Sequence, residues 1–372
     1  MKKVKLFTLG CKVNQYETQA IREDFLKKGF KEAGNTKADI YLINTCTVTQ
    51  AADRKSREYI YRSKRENPNA KIIVTGCYVE NDRDSIAQIP GIDFIIANQL
   101  KDKIADIALS PQKKFFYRNQ KYLDLKISGF AHHSRAFVKI QDGCDNRCSY
   151  CKVSLVRGPS RSRKLESIIQ ETRELVDNGY KEIVLTGICL GAYGKDLKPK
   201  IELSSVIENI ENLDGEFRIR LSSIEAKDIT DKLIQKLASS KKICRHLHIP
   251  FQSGDDKILK LMNRKYTARF YRELIKKVKK AVPEVAITTD IMVGFPGETK
   301  RHFKNTLEFL DEVSPSRMHI FSFSPRPGTA AYSLPHKIES KIVKQRLNLL
   351  KDLARDKSYE YRKKFLNRKL EV

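Results

Sequence analysis

The chain has 372 residues, of which 72 are Lys or Arg and 45 are Asp or Glu, so its net charge is +27. This excess of positive charge favours a polyanionic partner, nucleic acid first, over an ordinary soluble surface. No stretch approaches about 18 consecutive apolar residues, which argues against a membrane protein, and the apolar run near the first residue is too short for a signal peptide. We therefore expect a cytoplasmic protein whose eight cysteines bind metal rather than form disulfides.

The first third of the chain repeats a strand that ends at a cysteine. Helical patterns separate the strands, which are predicted at 3–9, 40–44 and 71–75. Right-handed crossovers make such strands parallel, so their carboxyl ends lie along one edge of one sheet. We expect three cysteines to converge there, Cys11, Cys46 and Cys77. They can hold a 4Fe–4S cluster with one iron open; the alternative is three unrelated small residues at strand ends.

A further strand at 93–97 and a helix at 100–108 complete a parallel α/β domain, which we assign to residues 1–125. The segment 110–129 lacks a clear period and is interpreted as a linker.

A second series of alternating strands and helices begins at residue 135. Its six predicted strands lie at 137–140, 182–185, 217–221, 246–251, 286–293 and 318–323. This alternation predicts a parallel sheet, and six units predict an open (β/α)6 partial barrel rather than a full eight-stranded barrel. We assign this second domain to residues 130–355.

Three more cysteines follow the first strand of that series, in the run Cys144-Asp-Asn-Arg-Cys148-Ser-Tyr-Cys151. At this C-x3-C-x2-C spacing, three thiolates can hold a 4Fe–4S cluster whose fourth iron is open to a substrate or cofactor. Zinc is the alternative, and it would need a fourth ligand such as His132 or His133. Buried structural cysteines are disfavoured because the residues between them are polar.

Polar residues and glycines also stand at or near the other strand ends, where active sites of such barrels lie. Gly187 would let a ligand approach the backbone closely, and Glu225 and Gln252 would face the barrel mouth. Asp290 lies in an apolar strand and implies a partner, whereas Arg264 could bind a carboxylate with two hydrogen bonds. Each of them could instead be a surface or capping residue. Tyr150 would pack on a bound base or fill the core.

A basic loop follows the cysteine run directly. Its arginines, Arg157, Arg161 and Arg163, flank a Gly-Pro pair and predict phosphate contacts. The alternative is a solvated loop, because short basic runs are common in so basic a chain. Cys189 and Cys244 fall outside both trios; we leave Cys189 without a role and interpret Cys244 as structural.

The last residues predict a long charged helix over 337–366, followed at 368–372 by a strand that has barely begun.

Three stretches together resemble the radical S-adenosylmethionine (SAM) methylthiotransferases. They are the residues 9–18 around Cys11, the cysteine run with its arginine loop, and the residues 245–254 around Gln252. The residues Lys12-Val13-Asn14-Gln15 resemble those at the same place in the branch that acts on threonylcarbamoyladenosine in tRNA. Family members usually end in a small tRNA-binding β-barrel called TRAM. Only its possible first strand is present, so we assign 356–372 to the end of a helix and a missing or truncated TRAM domain.

The resemblance implies an amino-terminal domain that holds an auxiliary 4Fe–4S cluster through Cys11, Cys46 and Cys77. It implies a catalytic 4Fe–4S cluster on Cys144, Cys148 and Cys151, which cleaves SAM to a 5′-deoxyadenosyl radical. A second SAM would methylate a sulfur at the auxiliary cluster, and the methylthio group would replace the hydrogen on adenine C2. The implied substrate is N6-threonylcarbamoyladenosine at tRNA position 37. The residues we expect to contact SAM are Tyr150, Gly187, Glu225, Gln252, Arg264 and Asp290.

The expected partners are tRNA, an external electron donor and a sulfur source, and the chain is expected to act as a monomer. Two branches of the family remain alternatives, acting on isopentenyladenosine in tRNA or on a ribosomal protein. A radical SAM transferase of another kind would need no tRNA. An alternative of another class is a non-enzymatic, metal-stabilised RNA-binding protein that holds zinc on its cysteines.

Overall fold

The computed structural model describes residues 1–110, 122–131 and 133–369. Most of the predicted linker, His132 and most of the predicted strand at 368–372 lie outside these residues. The chain forms two compact units. The first unit comprises Met1–Asp145 with Cys151–Ile219, and the second comprises Asn146–Tyr150 with Arg220–Val372. The domain boundaries inferred above, 1–125, 130–355 and 356–372, stay predictions.

The first unit begins with a five-stranded parallel sheet in the order β2-β1-β3-β4-β5. Its strands are β1 (Lys3–Thr8), β2 (Lys31–Glu32), β3 (Ile40–Thr45), β4 (Lys71–Gly76) and β5 (Phe94–Ile96). The four longer strands confirm those predicted from the sequence. The edge strand β2 was missed because two residues are too few to show a period.

Both faces of this sheet are covered. All six residues of β3 are buried, as expected for a central strand of a parallel sheet that is covered on both faces. Its alternate residues enter two separate apolar clusters, Ile43 in one and Leu42 in the other. The helices of this part are α1 (Lys12–Lys27), α2 (Gln50–Glu66), α3 (Cys77–Asn81), α4 (Arg83–Ala87) and α5 (Ile104–Leu109), with a 3₁₀ helix at Asn98–Lys103.

The remainder of the first unit opens the second strand series. Strand β6 (Ala136–Lys139) pairs in parallel with β9 (Glu182–Thr186), and a short antiparallel pair joins β7 (Gln141–Asp142) to β8 (Arg161–Ser162). The helices are α6 (Val153–Arg157), α7 (Leu165–Asp177) and α8 (Leu203–Glu211), with a 3₁₀ helix at Leu190–Ala192. Strand β10 (Arg218–Leu221) begins beside β9, where the Arg218 amide donates to the Lys181 carbonyl at 2.8 Å.

The second unit contains a three-stranded parallel sheet in the order β11-β12-β13. The strands are β11 (His246–His248), β12 (Ala286–Val293) and β13 (Arg317–Ser322). The α-helices are α9 (Asp231–Ser239), α10 (Asp256–Leu261), α11 (Ala268–Ala281), α12 (Lys300–Val313) and α13 (Ser340–Lys363), and 3₁₀ helices lie at Ala226–Asp228 and Ala330–Ser333. All six strands predicted for the open partial barrel are therefore present, and the α/β fold class is confirmed. None of the helices in the described ranges is long and apolar enough to cross a membrane.

Candidate active site

The first cysteine trio lies at the carboxyl edge of the five-stranded sheet. Cys11 precedes α1, Cys46 follows β3 directly, and Cys77 opens α3 directly after β4. A Cβ added at Gly10 would lie 2.9 Å from the Cys46 Sγ, so the segment before Cys11 approaches Cys46 closely. The Asn14 amide joins two of these strand ends by donating to the Leu9 carbonyl at 2.7 Å and to the Thr45 carbonyl at 3.0 Å.

Burial makes the thiolate forms of this trio costly. It raises the pKa of the Cys46 thiol to about 12, and the negative charges of Cys77 and Cys11 add to the rise. Burial also raises the pKa of the Cys77 thiol, although the positive charge of Arg157 opposes it. Cys11 is exposed. Thiolates bind metal, so two buried thiols and one accessible thiol fit a group that brings its own positive charge.

A buried charge network lies beside Cys77. Glu17 accepts hydrogen bonds from Arg157 at 2.6 and 3.0 Å, from Lys101 at 2.5 Å and from Lys139 at 2.8 Å. Asp142 accepts from Lys139 at 2.8 Å and from Arg157 at 3.2 Å. Because the three cations outweigh the effect of burial, the pKa of the Glu17 carboxyl lies well below its usual range. Three cations and two carboxylates leave a net charge of +1, which favours the negatively charged thiolate form of the neighbouring cysteines.

Arg157 connects this network to the cysteine trio. Its Nε donates to the Cys77 Sγ at 3.4 Å, and its Nη2 donates to the Asn14 Oδ1 at 2.5 Å. A guanidinium that donates to sulfur favours the thiolate over the thiol. Arg157 thus stabilises the thiolate of Cys77, which is the form of a cysteine that binds metal.

Two of the three arginines in the arginine loop are buried. Arg157 and Arg163 are 2% and 1% exposed. Arg163 pairs with Glu171 and with Asp124, whose Oδ1 lies 2.5 Å from the Arg163 Nε. Arg161 is half-buried and donates to the Arg157 carbonyl at 2.6 Å. The alternative of a solvated loop is therefore wrong for Arg157 and Arg163, because buried carboxylates already pair with them. Whether the arginine loop touches RNA stays a prediction.

The second cysteine run lies on a loop, and all three of its cysteines are half-buried. The Cys144 amide donates to the Gly158 carbonyl at 3.0 Å, and the Val153 amide donates to the Cys151 Sγ at 3.5 Å. In the second unit, the Arg264 Nη1 donates to the Cys148 Sγ at 3.5 Å. Three thiols within eight residues remain a suitable ligand set for three irons.

Arg264 and Glu225, both expected to contact SAM, bind each other. The two guanidinium nitrogens lie 3.0 and 2.6 Å from the two carboxylate oxygens. Burial raises the pKa of the Glu225 carboxyl, although Arg264 opposes the rise. Tyr150 packs against an apolar cluster that includes Met262 and Phe295, as in the core alternative stated for it.

Gln252 has the clearest signature of a ligand contact among these candidates. It is 6% exposed, its backbone φ is +79°, and its Oε1 accepts no hydrogen bond from the described part of the chain. A buried amide oxygen without a donor is costly unless a ligand or water supplies one. The residue therefore fits a polar cofactor group such as those of SAM.

Gly187 and Asp290 have protein partners. A Cβ at Gly187 would lie 2.8 Å from the Gln141 Oε1, so a neighbouring side chain accounts for this glycine. Asp290 has the partners that the sequence implied, with one oxygen 3.2 Å from His248 Nε2 and the other 3.2 Å from His319 Nδ1. Burial alone would raise the pKa of the Asp290 carboxyl. The two histidines have the larger effect, so the pKa lies below its ordinary value.

Several residues of this region were missed from the sequence. They are Glu17, Lys101, Lys139, Gln141, Asp142, His248 and His319. A signal existed for Glu17, which lies three residues after Asn14 and so on the same face of α1. Lys101 and Lys139 gave none, because lysine is normally exposed and only the tertiary structure buries these two.

Comparison with known proteins shows the family of this chain. The family model described as "Radical SAM superfamily" matches residues 138–310, and the model described as "Uncharacterized protein family UPF0004" matches residues 3–97. The chain is 41% identical over its whole length to the threonylcarbamoyladenosine tRNA methylthiotransferase MtaB of Bacillus subtilis, of which it covers 84%. This chain belongs to the radical SAM methylthiotransferase family. It is therefore an enzyme that uses SAM and a 4Fe–4S cluster.

The relatives of this chain are named for two different nucleosides. The chain is 39% identical to the MtaB protein of Thermotoga maritima, with 100% of the chain and 86% of that protein covered. It is 36% identical to the tRNA-2-methylthio-N(6)-dimethylallyladenosine synthase of Pelotomaculum thermopropionicum, over 97% of the chain and 84% of that protein.

A solved structure shares the fold. The radical SAM methyltransferase TsrM from Kitasatospora setae aligns with a TM-score of 0.63 at 11% identity, over 89% of this chain and 74% of that one. At this identity the likeness concerns the fold alone.

Proposed function

We propose that this methylthiotransferase acts on N6-threonylcarbamoyladenosine at tRNA position 37 and replaces the hydrogen on adenine C2 by a methylthio group. The observation that carries the proposal is the 41% identity, over the whole chain, to a relative named for threonylcarbamoyladenosine in tRNA. The relative named for dimethylallyladenosine is less similar, at 36% identity.

We infer two 4Fe–4S clusters, one on Cys144, Cys148 and Cys151 and an auxiliary one on Cys11, Cys46 and Cys77. When bound, they supply the electron that cleaves SAM to a 5′-deoxyadenosyl radical and a site for the sulfur to be transferred. The support for the auxiliary cluster is the trio of cysteines at one sheet edge together with the arginine that donates to Cys77. Cys11, the exposed member, leaves this trio open to solvent.

The residues of the chain have separate tasks in this proposal. Gln252 binds a polar group of SAM through its otherwise unsatisfied amide oxygen. Arg264 donates to Cys148 and stabilises its thiolate, while Glu225 fixes the orientation of that guanidinium. Arg157 does the same for Cys77, held by Glu17.

The partner in this proposal is tRNA, which the net charge of +27 supports, and the chain acts as a monomer. An external electron donor and a sulfur source complete the proposed reaction, which takes place in the cytoplasm.

The experiment that tests the substrate is nucleoside mass spectrometry of tRNA from cells with and without this protein. We expect 2-methylthio-N6-threonylcarbamoyladenosine to disappear in its absence, while N6-threonylcarbamoyladenosine accumulates. Wild-type chain should restore the product, and a variant lacking Cys144, Cys148 and Cys151 should not. Loss of the methylthiolated isopentenyl nucleoside instead would assign the protein to the neighbouring branch.

The two-cluster inference is tested separately, by replacing Cys11, Cys46 and Cys77 together by Ala. The purified variant, reconstituted without air, should hold about half the iron of wild type. It should still form 5′-deoxyadenosine from SAM with reductant, because the other trio is intact, but it should give no methylthiolated nucleoside. Full product from this variant would refute the auxiliary cluster, and zinc without iron in wild type would refute both clusters.

A further inference from the structure

Three neighbouring strands of the second unit place two histidines and an aspartate on one face of their sheet. In the parallel register, His319 on β13 lies opposite Asp290 on β12, and His248 on β11 lies opposite Thr288. Because side chains two residues apart on a strand share a face, Thr288 and Asp290 point the same way. The four side chains therefore meet on the same side of the sheet.

Their distances match those between ligands of one metal ion. The Nε2 of His248 and the Nδ1 of His319 each lie 3.2 Å from an oxygen of Asp290. One ligand atom from each of the three residues lies within 4.8 Å of the other two. Two ligands bound to one ion at about 2.0–2.2 Å lie about 3.0–3.5 Å apart, so small side-chain movements would bring all three into coordination.

The neighbouring threonine orients one of the imidazoles. The Thr288 Oγ1 lies 2.8 Å from the Nδ1 of His248, which leaves Nε2 as the ring atom that faces Asp290. Metal-binding histidines normally use their second nitrogen in this way. The side chains of His248, Asp290 and His319 are 15%, 25% and 52% exposed, so a hydrated ion can reach them.

We propose that His248, Asp290 and His319 bind a divalent first-row transition-metal ion, of the class of Zn²⁺, Fe²⁺ or Co²⁺, at a site separate from the cysteines. Two imidazole nitrogens and one carboxylate oxygen are ligands that such ions share, whereas Mg²⁺ and Ca²⁺ prefer oxygen alone. Water completes the coordination shell. In this assignment Asp290 is a metal ligand and does not contact SAM.

The test uses the full chain after iron–sulfur reconstitution, so that the cysteines are occupied. The protein is dialysed against a buffer with a fixed concentration of free Zn²⁺, and bound zinc is measured in wild type, His319→Ala and Asp290→Asn. The matched control is His336→Asn, which changes another exposed histidine of the second unit, at φ +58°, where Asn is tolerated. Iron content and circular dichroism report whether each variant is folded and loaded.

We expect about one zinc more per chain in wild type and in His336→Asn than in the two ligand variants. Thr288→Val, which keeps all three ligands, should bind zinc about 10–100-fold more weakly. X-ray absorption at the zinc edge should show only nitrogen and oxygen at about 2.0–2.1 Å for this zinc, and no sulfur at about 2.3 Å. Equal zinc in wild type and His319→Ala, or sulfur around the zinc that His319→Ala loses, would overturn the proposal. Neither result bears on the tRNA substrate.

Discussion

At the scale of single residues, Glu17 is the centre of the buried charges beside the first cysteine trio. Its carboxylate accepts four hydrogen bonds from three cations, and its side chain is 2% exposed. Buried charges are tolerated only when each is paired and hydrogen-bonded, so removal of one partner leaves others uncompensated. The network therefore depends on this residue more than on any of the cations that surround it.

The isosteric change Glu17→Gln should lower the free energy of unfolding by about 3–5 kcal/mol, because Arg157 and Lys139 would keep only Asp142 as a counter-charge and Lys101 would lose its carboxylate partner. Urea unfolding of the cluster-loaded protein measures this. The control is Glu58→Gln, an exposed carboxylate paired with Arg54 on α2, which should cost at most about 0.5 kcal/mol. Similar midpoints for the two variants would show that the buried network contributes little.

A second residue-scale prediction concerns Gln252. Gln252→Gly removes the amide, and glycine tolerates the positive φ of this position, so backbone strain is avoided. Loss of one hydrogen bond of about 1.5 kcal/mol should weaken SAM binding about tenfold and leave iron content unchanged. Equilibrium binding of SAM and formation of 5′-deoxyadenosine are the measurements, with the exposed Gln170→Ala as the control. Wild-type affinity in Gln252→Gly would remove this residue from the SAM site.

At the scale of elements, the short antiparallel pair of β7 and β8 fixes the chain just before the second cysteine run. Gly143 follows β7 with φ +75°, and a Cβ there would lie 1.9 Å from the Pro159 carbonyl oxygen. Gln141 supports the same turn, since its Nε2 donates to the Gly143 carbonyl at 2.8 Å. The position of Cys144 thus depends on a backbone approach that only glycine permits.

Gly143→Ala should displace Cys144, reduce iron content towards half and abolish 5′-deoxyadenosine formation. Gly179→Ala is the matched control. It too has a positive φ, +89°, but a Cβ there meets nothing within 4 Å and the residue follows α7, away from the cysteine run, so the change should cost only about 1–2 kcal/mol of backbone strain and keep the iron. If both variants retain full iron and SAM cleavage, the close approach at Gly143 is not needed for the cluster.

The sequence predicted elements well and side-chain partners poorly, for a physical reason. Strands such as β3 and β4 show short apolar runs bounded by polar residues, and that pattern depends on local sequence alone. The pairing of Glu17 with Arg157 joins residues 140 positions apart, and no local pattern reports it. The burial of Arg157 and Arg163 could not be predicted either, because arginine is usually exposed and only the tertiary structure places carboxylates beside these two. The partners of Asp290, His248 and His319, lie on two other strands, so the sequence around Asp290 does not reveal them.

At the scale of the whole molecule, the excess of positive charge determines how the enzyme binds tRNA. Four basic side chains in the first unit, Arg157, Arg163, Lys101 and Lys139, are almost fully buried and paired with carboxylates. They are a small part of the 72 basic residues, so most of the excess of +27 lies outside these pairs. Attraction to the phosphates of tRNA, rather than readout of individual bases, should dominate the affinity.

The last prediction follows from counterion release. If the chain contacts about 6–10 phosphates, its affinity for tRNA should fall about 10³–10⁵-fold between 50 and 200 mM salt. Fluorescence titrations across this range measure the slope of log affinity against log salt. Two tRNA samples, with and without the N6-threonylcarbamoyl group, make the internal control. Because both carry the same phosphates, they should give the same slope and differ only by a constant factor from contacts to the modified base. An affinity that does not change with salt would show that the basic surface does not bind the tRNA backbone, whatever nucleoside the enzyme modifies.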